Sequence, residues 1–268
     1  MVAYDERLKG DSDWAREQGA RFFMGASDVN AALKRITSRL DHLEIPYAVV
    51  GGMALFQYGY RRFTEDVDLL VSRASLKLIH EALEGRGYLP KFSGSKNLRD
   101  TKAGVAIKFL VPAEYPGDGK VKPVSFPDPE NATTLIGGIR CLNLAPLVEL
   151  KLASGMTAPG RLKDLADVQQ LIGVLNLDEE FGRQLNPFVR EKFLELVRGE
   201  GASRRFVKLL ARNVLNPASD NAELEAMIHD GIEVDEILSD SKNRCLATTD
   251  PQLAAKHDMH EASEFMDG

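Results

Sequence analysis

The sequence is poor in cysteine and aromatic residues and has no long apolar run. Its 268 residues include two cysteines, too few for a disulfide framework or a cysteine zinc cluster, so a reducing compartment is expected. No apolar stretch approaches the roughly 20 residues that a membrane-spanning helix needs, and the first residues lack the apolar core of a secretion signal. We therefore expect a soluble, cytoplasmic protein with no membrane partner.

What the chain does have is an ordinary globular composition, with 44% hydrophobic and 28% charged residues, which excludes collagen-like and wholly disordered chains. The charge is unevenly distributed. Residues 216–268 hold 13 acidic and 3 basic side chains, whereas residues 1–215 hold 27 acidic and 31 basic ones. The acidic segment is predicted to be a solvated tail, or a tail that covers a basic site elsewhere on the chain.

Hydrophobic periodicity predicts an α/β half followed by a helical half. The first half shows a helix that starts at residues 27–28, a helix over 53–58, a long loop over 112–129, and short strands over 47–50, 67–71, 105–111 and 139–142. The second half is helical, with breaks near residues 157–160, 176–178 and 199–201. We expect an α/β core over 1–145, a helical region packed on it over 146–215, and the acidic tail over 216–268.

Two short motifs in the first half indicate chemistry when they are taken together. Gly51 and Gly52 stand between a strand and a helix, where a phosphate can approach the backbone and bind free N–H groups. Asp66 and Asp68 alternate with apolar residues along the next strand, so both carboxylates point to one face. Such a pair suits Mg²⁺ or Mn²⁺, whose shell is completed by water and substrate phosphates. The combination predicts phosphoryl or nucleotidyl transfer.

The pattern of Gly51-Gly52, Arg62, Thr64, Asp66 and Asp68 resembles the nucleotidyltransferase superfamily that includes DNA polymerase beta and antibiotic nucleotidyltransferases. Within it, the pattern is most similar to minimal bacterial nucleotidyltransferases of the abortive-infection type IV toxin kind. The resemblance implies a small mixed sheet flanked by helices and followed by a helical C-terminal region. It implies that Asp66 and Asp68 are catalytic metal ligands, and that the glycines, Arg62 and Thr64 bind the nucleotide.

Two later helical motifs extend the resemblance, Glu-Leu-Lys-Leu-Ala around Lys151 and Arg-Leu-Lys-Asp-Leu-Ala-Asp over residues 161–167. Helical spacing places Arg161, Asp164 and Asp167 on one face, which by itself also fits a helix laced by its own ion pairs. The resemblance implies that Lys151 contacts nucleotide phosphates and that Asp164 supports catalysis or holds the ribose. It also places Arg161, Lys163 and Asp167 among the nucleotide-binding residues.

One position departs from the family pattern, which normally has a third carboxylate on a neighbouring strand. The outward-facing residue in the middle of the strand over 105–111 is Lys108. Three interpretations stay open. Lys108 replaces one Mg²⁺ as the charge that neutralises phosphate and so binds the nucleotide, or Glu114 or Asp118 of the following loop supplies the third ligand, or catalysis has been lost.

Together these features predict a Mg²⁺-dependent nucleotidyltransferase that moves a nucleoside monophosphate from an NTP to a hydroxyl acceptor on RNA or protein. The resemblance also implies a toxin role, with a cognate antitoxin as a further partner. One alternative is a catalytically impaired nucleotide- or RNA-binding module on the same fold. Another is an antibiotic nucleotidyltransferase, although a cationic drug favours an acidic cleft and residues 1–215 are mildly basic.

Overall fold

The computed structural model describes residues 2–215, and side chains as far as residue 201; the acidic tail predicted over 216–268 lies outside the described residues. The strands are β1 (Ala48–Val50), β2 (Asp66–Leu70), β3 (Tyr88–Pro90), β4 (Leu98–Asp100), β5 (Ala106–Leu110), β6 (Thr133–Ile136) and β7 (Ile139–Leu142). The helices are α1 (Tyr4–Gly10), α2 (Ser12–Phe23), α3 (Asp28–His42), α4 (Gly51–Gln57), α5 (Arg73–Leu83), α6 (Leu144–Thr157), α7 (Leu162–Leu175), α8 (Glu179–Arg183) and α9 (Pro187–Leu215). A short 3₁₀ turn, Pro159–Arg161, joins α6 to α7.

The seven strands found within residues 2–215 form one mixed sheet in the order β3-β4-β5-β2-β1-β7-β6. Strand β2 pairs in parallel with β5 and antiparallel with β1, and β1 pairs in parallel with β7. The register places Asp68 beside Lys108 on β5 and beside Val50 at the end of β1. The predicted mixed sheet flanked by helices is confirmed, and its central strand carries the aspartate pair.

Helix α3 shows how local signals fix the elements around this sheet. The Ser27 hydroxyl accepts a hydrogen bond from the Asn30 N–H, and the Asn30 side chain accepts one from the Ser27 N–H, so the helix begins with a capping box. Leu33, Ile36 and Leu40, which follow at helical spacing, are at most 1% exposed. Burial of each such side chain stabilises the fold by roughly 1.5–3 kcal/mol.

Close packing of α6 against α7 brings the two later motifs together. A Cβ added at Gly155 would lie 2.6 Å from the Leu165 Cγ atom, so only glycine allows this approach of the two helices. The apolar residues of α7, among them Leu162, Val168 and Leu171, predict that this helix has a buried face. Val168 and Leu171 are fully buried, as predicted, but the prediction is wrong for Leu162, which is 66% exposed. Leu162 is the first residue of α7, where the chain leaves the 3₁₀ turn at the surface.

Several elements differ from the sequence predictions. Helix α4 begins at Gly51 rather than at residue 53, and α9 passes through residues 199–201 without the predicted break. Helices α1 and α2 and strands β3, β4 and β6 were not predicted. These strands have three or four residues each, too few to show a period of two.

Within residues 2–215, no helix combines the length and apolar character needed to cross a bilayer. Residues as far as Val197 form one compact unit. All the site residues predicted above lie in this unit. The boundaries expected near residues 145 and 215 stay predictions.

We expect position 51 to require glycine for two reasons, its backbone conformation and the nearness of Asp68. Its φ of +62° favours glycine, and an added Cβ would lie 2.1 Å from the Asp68 Oδ2 atom. Gly85 is the matched control, because its φ is +72° but nothing lies within 4 Å of an added Cβ. We expect Gly85→Ala to lower the free energy of unfolding by roughly 1–2 kcal/mol, the cost of the left-handed conformation alone. Gly51→Ala should cost clearly more in urea unfolding, and equal losses would show that Asp68 does not press on this turn.

Candidate active site

A single cleft collects nearly all the residues singled out in the sequence. Its volume is about 300 Å³, within the lower range of ligand pockets, and it is lined by the ends of β1 and β2, the start of α4, strand β5 and helices α6 and α7. Of the predicted residues, the lining includes Gly51, Gly52, Arg62, Thr64, Asp66, Asp68, Lys108, Lys151, Arg161, Lys163 and Asp164. Asp167 does not line the cleft but lies directly behind it, as described below.

Asp66 and Asp68 lie on the same face of β2, as the sequence predicts. Both are partly exposed, whereas the intervening Val67 is fully buried. The Asp66 Oδ1 atom accepts a hydrogen bond of 3.0 Å from the Thr64 hydroxyl, and Thr64 packs so closely on Gly52 that a Cβ there would come within 2.9 Å of it. The glycine pair and the aspartate pair therefore form one connected site.

Lys108 points into this site from β5. Its ammonium forms an ion pair with the Asp66 Oδ2 atom. Side chains alternate between the two faces of a strand. Ile107 and Phe109, the neighbours of Lys108 in β5, are fully buried, so Lys108 points to the opposite face, which lines the cleft. Burial lowers the pKa of Lys108, but the hydrogen bond and the charge of Asp66 outweigh this effect and raise it overall. The ammonium is therefore positively charged at neutral pH.

Within the described residues, Asp68 differs from Asp66 in having no direct partner. Among the residues that the structure describes, none forms a hydrogen bond or ion pair with its carboxylate. Burial, followed by the negative charge of Asp66, raises the pKa of Asp68 to about 6. A carboxylate that is poorly solvated and repelled by its neighbour is stabilised by an added cation.

This carboxylate pair fits a hard divalent cation. Mg²⁺ is usually held by one or two carboxylates, with water and phosphate oxygens completing its shell. No group of three or more His, Cys, Asp or Glu side chains among the described residues could hold a metal ion. A cation held by Asp66 and Asp68 would therefore depend on water and on phosphate for its other ligands.

Glu114 and Asp118, the alternatives for a third ligand, are paired elsewhere. Glu114 forms an ion pair of 2.9 Å with Lys96, and Asp118 forms one of 2.5 Å with Lys122. The aspartate pair is instead contacted by Lys108, which forms an ion pair with Asp66. For Glu114 or Asp118 to supply the third ligand, its present ion pair would have to open, and that interpretation stays a prediction.

Lys151 forms the centre of a buried ion cluster at the wall of the cleft. Its ammonium lies 3.0 Å from the Asp164 Oδ1 atom and 2.5 Å from the Asp167 Oδ2 atom, and all three side chains are less than 10% exposed. The Ser154 hydroxyl donates a hydrogen bond of 2.7 Å to the Asp164 Oδ2 atom. Burial raises the pKa of Asp164, but Lys151 and Ser154 outweigh it and lower the pKa overall.

Arg62 connects this cluster to the segment that leads into β2. Its guanidinium makes a bidentate contact with Asp167, with distances of 2.6 Å and 2.9 Å. Burial lowers the pKa of Arg62, but the hydrogen bond and charge of Asp167 raise it overall. Arg62 and Asp167, two of the residues that the resemblance assigned to nucleotide binding, therefore neutralise each other. Bidentate pairs of this kind fix orientation as well as charge.

Arg161 and Lys163 remain as exposed cations at the rim. The Arg161 guanidinium approaches Asp164 only to 4.0 Å and its side chain is 51% exposed, and Lys163 is exposed with no ion pair within the described part of the chain. Sequence reasoning missed Lys96, which also lines the cleft. Among the described residues, the lining holds six basic side chains and three carboxylates, and two of the basic ones, Arg62 and Lys96, are paired with carboxylates outside the lining. The exposed cations Arg161 and Lys163 favour anionic ligands at the rim.

Ser154 is a second residue of the cleft that sequence reasoning missed. A signal for it existed, because it lies three residues after Lys151 and therefore on the same helical face. Lys96 gave no such signal, since it lies in the loop between β3 and β4, far from every motif.

Comparisons with known proteins add a distant likeness. No family model matches the sequence, and no curated protein does. Among solved structures, the chain is similar to ANT(2″)-Ia in complex with adenylyl-2″-tobramycin, with 13% identity over 61% of this chain and 95% of that one and a TM-score of 0.42. It is also similar to an antigenic nucleotidyltransferase-like protein from Paracoccidioides brasiliensis, with 17% identity over 54% and 75% of the two chains and a TM-score of 0.38. Scores in this range do not assign activity, which has to be argued from the site itself.

Lys151 should be essential for stability whatever its role toward a ligand. In Lys151→Met, two buried carboxylates lose their shared cation, and breaking such a buried pair costs roughly 3–5 kcal/mol. Lys163→Met is the matched control, because Lys163 is exposed and such surface changes stay within about 0.5 kcal/mol. Urea unfolding of both variants checks this. Equal stability would mean that Lys151 is not part of the structural support of α7.

Asp68 should destabilise the ligand-free fold at neutral pH. Its pKa is about 6 in the folded protein, whereas the ordinary value for an aspartate is 3.8. From pH 4 to 6 the native state therefore keeps a proton that the unfolded chain has lost, and stability falls as the pH rises. Asp68→Asn removes this dependence, so its stability relative to wild type should rise by up to about 3 kcal/mol between pH 4 and pH 7.

Urea unfolding at both pH values in EDTA measures this difference. Asp13→Asn serves as the control, because that side chain is 87% exposed. If the Asp68→Asn difference is the same at both pH values, the Asp68 carboxylate is not strained by burial and by Asp66.

Proposed function

We propose that the chain is a nucleotidyltransferase that moves a nucleoside monophosphate from an NTP to a hydroxyl acceptor, with Mg²⁺ or Mn²⁺. The observation that carries this proposal is the aspartate pair. Asp66 and Asp68 share one face of the central strand, adjoin the Gly51–Gly52 turn, and lie in a cleft that is otherwise mainly basic. A structural pair of carboxylates would be neutralised, yet Asp68 has no direct partner within residues 2–201.

The charges of the cleft suit the triphosphate of the donor. The lining has six basic side chains and three carboxylates, and Asp167 and Glu114 just outside it pair with two of the basic ones, which leaves an excess of one positive charge. Arg161 and Lys163 at the rim are exposed. Lys151 has three N–H donors, of which two are taken by Asp164 and Asp167, so one remains for a ligand in the cleft. These cations would orient the phosphates and offset their charge, which is most of what phosphoryl-group transfer requires of a protein.

The carboxylates would hold the metal. A bound Mg²⁺ would polarise the phosphate oxygens and offset the charge that develops on them. For their part, Thr64 orients Asp66 through its hydroxyl, and the missing Cβ of Gly51 leaves room for Asp68. The residues thus hold two oxygen ligands at a site that a phosphate can reach.

For the acceptor, an anionic molecule such as RNA, or a hydroxyl of a protein, fits the cleft better than a cationic drug. A polycation would have to enter against an excess of basic side chains. The second candidate function is nucleotide or RNA binding without catalysis. It is favoured by one observation, the ion pair between Lys108 and Asp66, which already occupies part of the carboxylate pair.

Labelled nucleotides test the reaction. Each of the four NTPs, labelled at the α- or the γ-phosphate, is incubated with the protein, Mg²⁺ or Mn²⁺, and total cellular RNA and protein. We expect incorporation from the α-labelled form only, and a loss of at least about 100-fold in Asp66→Asn and Asp68→Asn, the range of essential electrostatic groups. Asp13→Asn is the control for folding and purity.

Two outcomes would contradict the proposal. Incorporation from the γ-label would indicate a kinase-like transfer instead. Nucleotide binding with no incorporation from either label would favour the non-catalytic binding module.

A further inference from the structure

The two oxygens of Asp66 are both engaged by the protein itself. Thr64 donates to Oδ1 over 3.0 Å, and the ammonium of Lys108 contacts Oδ2. Asp68, two residues further along the same face, has no comparable partner in the described part of the chain. Lys108, a residue of the chain itself, thus neutralises one of the two carboxylates.

The backbone of Lys108 is held in β5, whereas the end of its side chain is able to move. Its Cα is the register partner of Asp68 in the parallel pairing of β2 with β5, and its neighbours Ile107 and Phe109 are fully buried. Its side chain is 49% exposed and has a flexible stem of four carbons. The ammonium can therefore change partners within the cleft while the strand stays in place.

The ammonium and a divalent cation compete for the same atom. A metal that uses the Oδ2 atom of Asp66 needs that oxygen as an electron-pair donor, and Lys108 already uses it as a hydrogen-bond acceptor. Two cations at one oxygen also repel each other strongly at contact distance. Metal binding there requires Lys108 to leave, and a polyphosphate in the cleft offers the ammonium another anionic partner.

We propose that Lys108 is a built-in counter-cation that keeps Asp66 closed to divalent metals until a polyphosphate enters the cleft and takes the ammonium over. Metal and polyphosphate then bind together rather than metal first. The identification of the polyphosphate as an NTP rests on the proposed function, but the competition between Lys108 and the metal does not.

Binding of Mn²⁺ alone tests the competition, with free Mn²⁺ measured by electron paramagnetic resonance. We expect weak binding by the full-length wild-type chain and at least tenfold tighter binding by Lys108→Met. Lys96→Met is the matched control, because Lys96 lines the same cleft and pairs with a different carboxylate, Glu114. It removes the same charge without freeing Asp66, and its Mn²⁺ affinity should stay within threefold of wild type.

Binding of inorganic tripolyphosphate without metal, measured by calorimetry, tests the transfer of the ammonium. Lys108→Met should bind it at least fivefold more weakly than wild type, and more weakly than Lys96→Met does. Lys108→Gln is a second variant in case the methionine disturbs β5, and urea unfolding checks that each variant is folded.

The proposal is overturned if wild type binds Mn²⁺ as tightly as Lys108→Met does, or if both lysine variants tighten Mn²⁺ binding equally. It is also overturned if tripolyphosphate binding does not depend on Lys108. Because neither assay uses a nucleotide, these results are separate from those of the labelling experiment. A protein that transfers no nucleotide could still show the Lys108 effect, and the reverse also holds.

Discussion

Two aspartates of α7 share the ammonium of one lysine in the protein interior, and the geometry of the cleft depends on that arrangement. Lys151, Asp164 and Asp167 are nearly inaccessible, and buried charges persist only when they are paired and hydrogen-bonded. Arg62 extends the cluster to the chain entering β2. The cluster therefore fixes the helical layer against the strand that carries the metal-binding candidates.

Two pairs of aspartates lie at or beside the cleft. The contrast in how their charges are neutralised distinguishes a structural pair from a candidate functional pair. Each carboxylate oxygen of Asp164 and Asp167 accepts a hydrogen bond from a cationic side chain or from a hydroxyl group. Asp66 has Lys108, whereas Asp68 is left with a raised pKa and no direct partner in the described residues. A fold that keeps a strained carboxylate beside a second one loses stability there, which is typical of a site that awaits a ligand.

Much of the site could be predicted because it follows from short-range periodicity. Alternation along β2 and β5 fixes the directions of Asp66, Asp68 and Lys108, and helical spacing puts Asp164 and Asp167 on one face. Burial of that face could not be predicted, because an ion-paired helix at the surface has the same spacing. The face is buried because α6 packs against it. The close approach of α6 depends on Gly155, and this role of the glycine can be recognised only in the three-dimensional structure.

In the proposed function, metal and nucleotide meet at the aspartate pair. A crystal structure with Mn²⁺ and a non-hydrolysable NTP, collected at a wavelength where manganese scatters anomalously, tests it most directly. We expect an anomalous peak between the carboxylates of Asp66 and Asp68 and the triphosphate, with the Lys108 ammonium on a phosphate oxygen. A nucleotide bound outside this cleft, or a manganese peak with no contact to either aspartate, would contradict it.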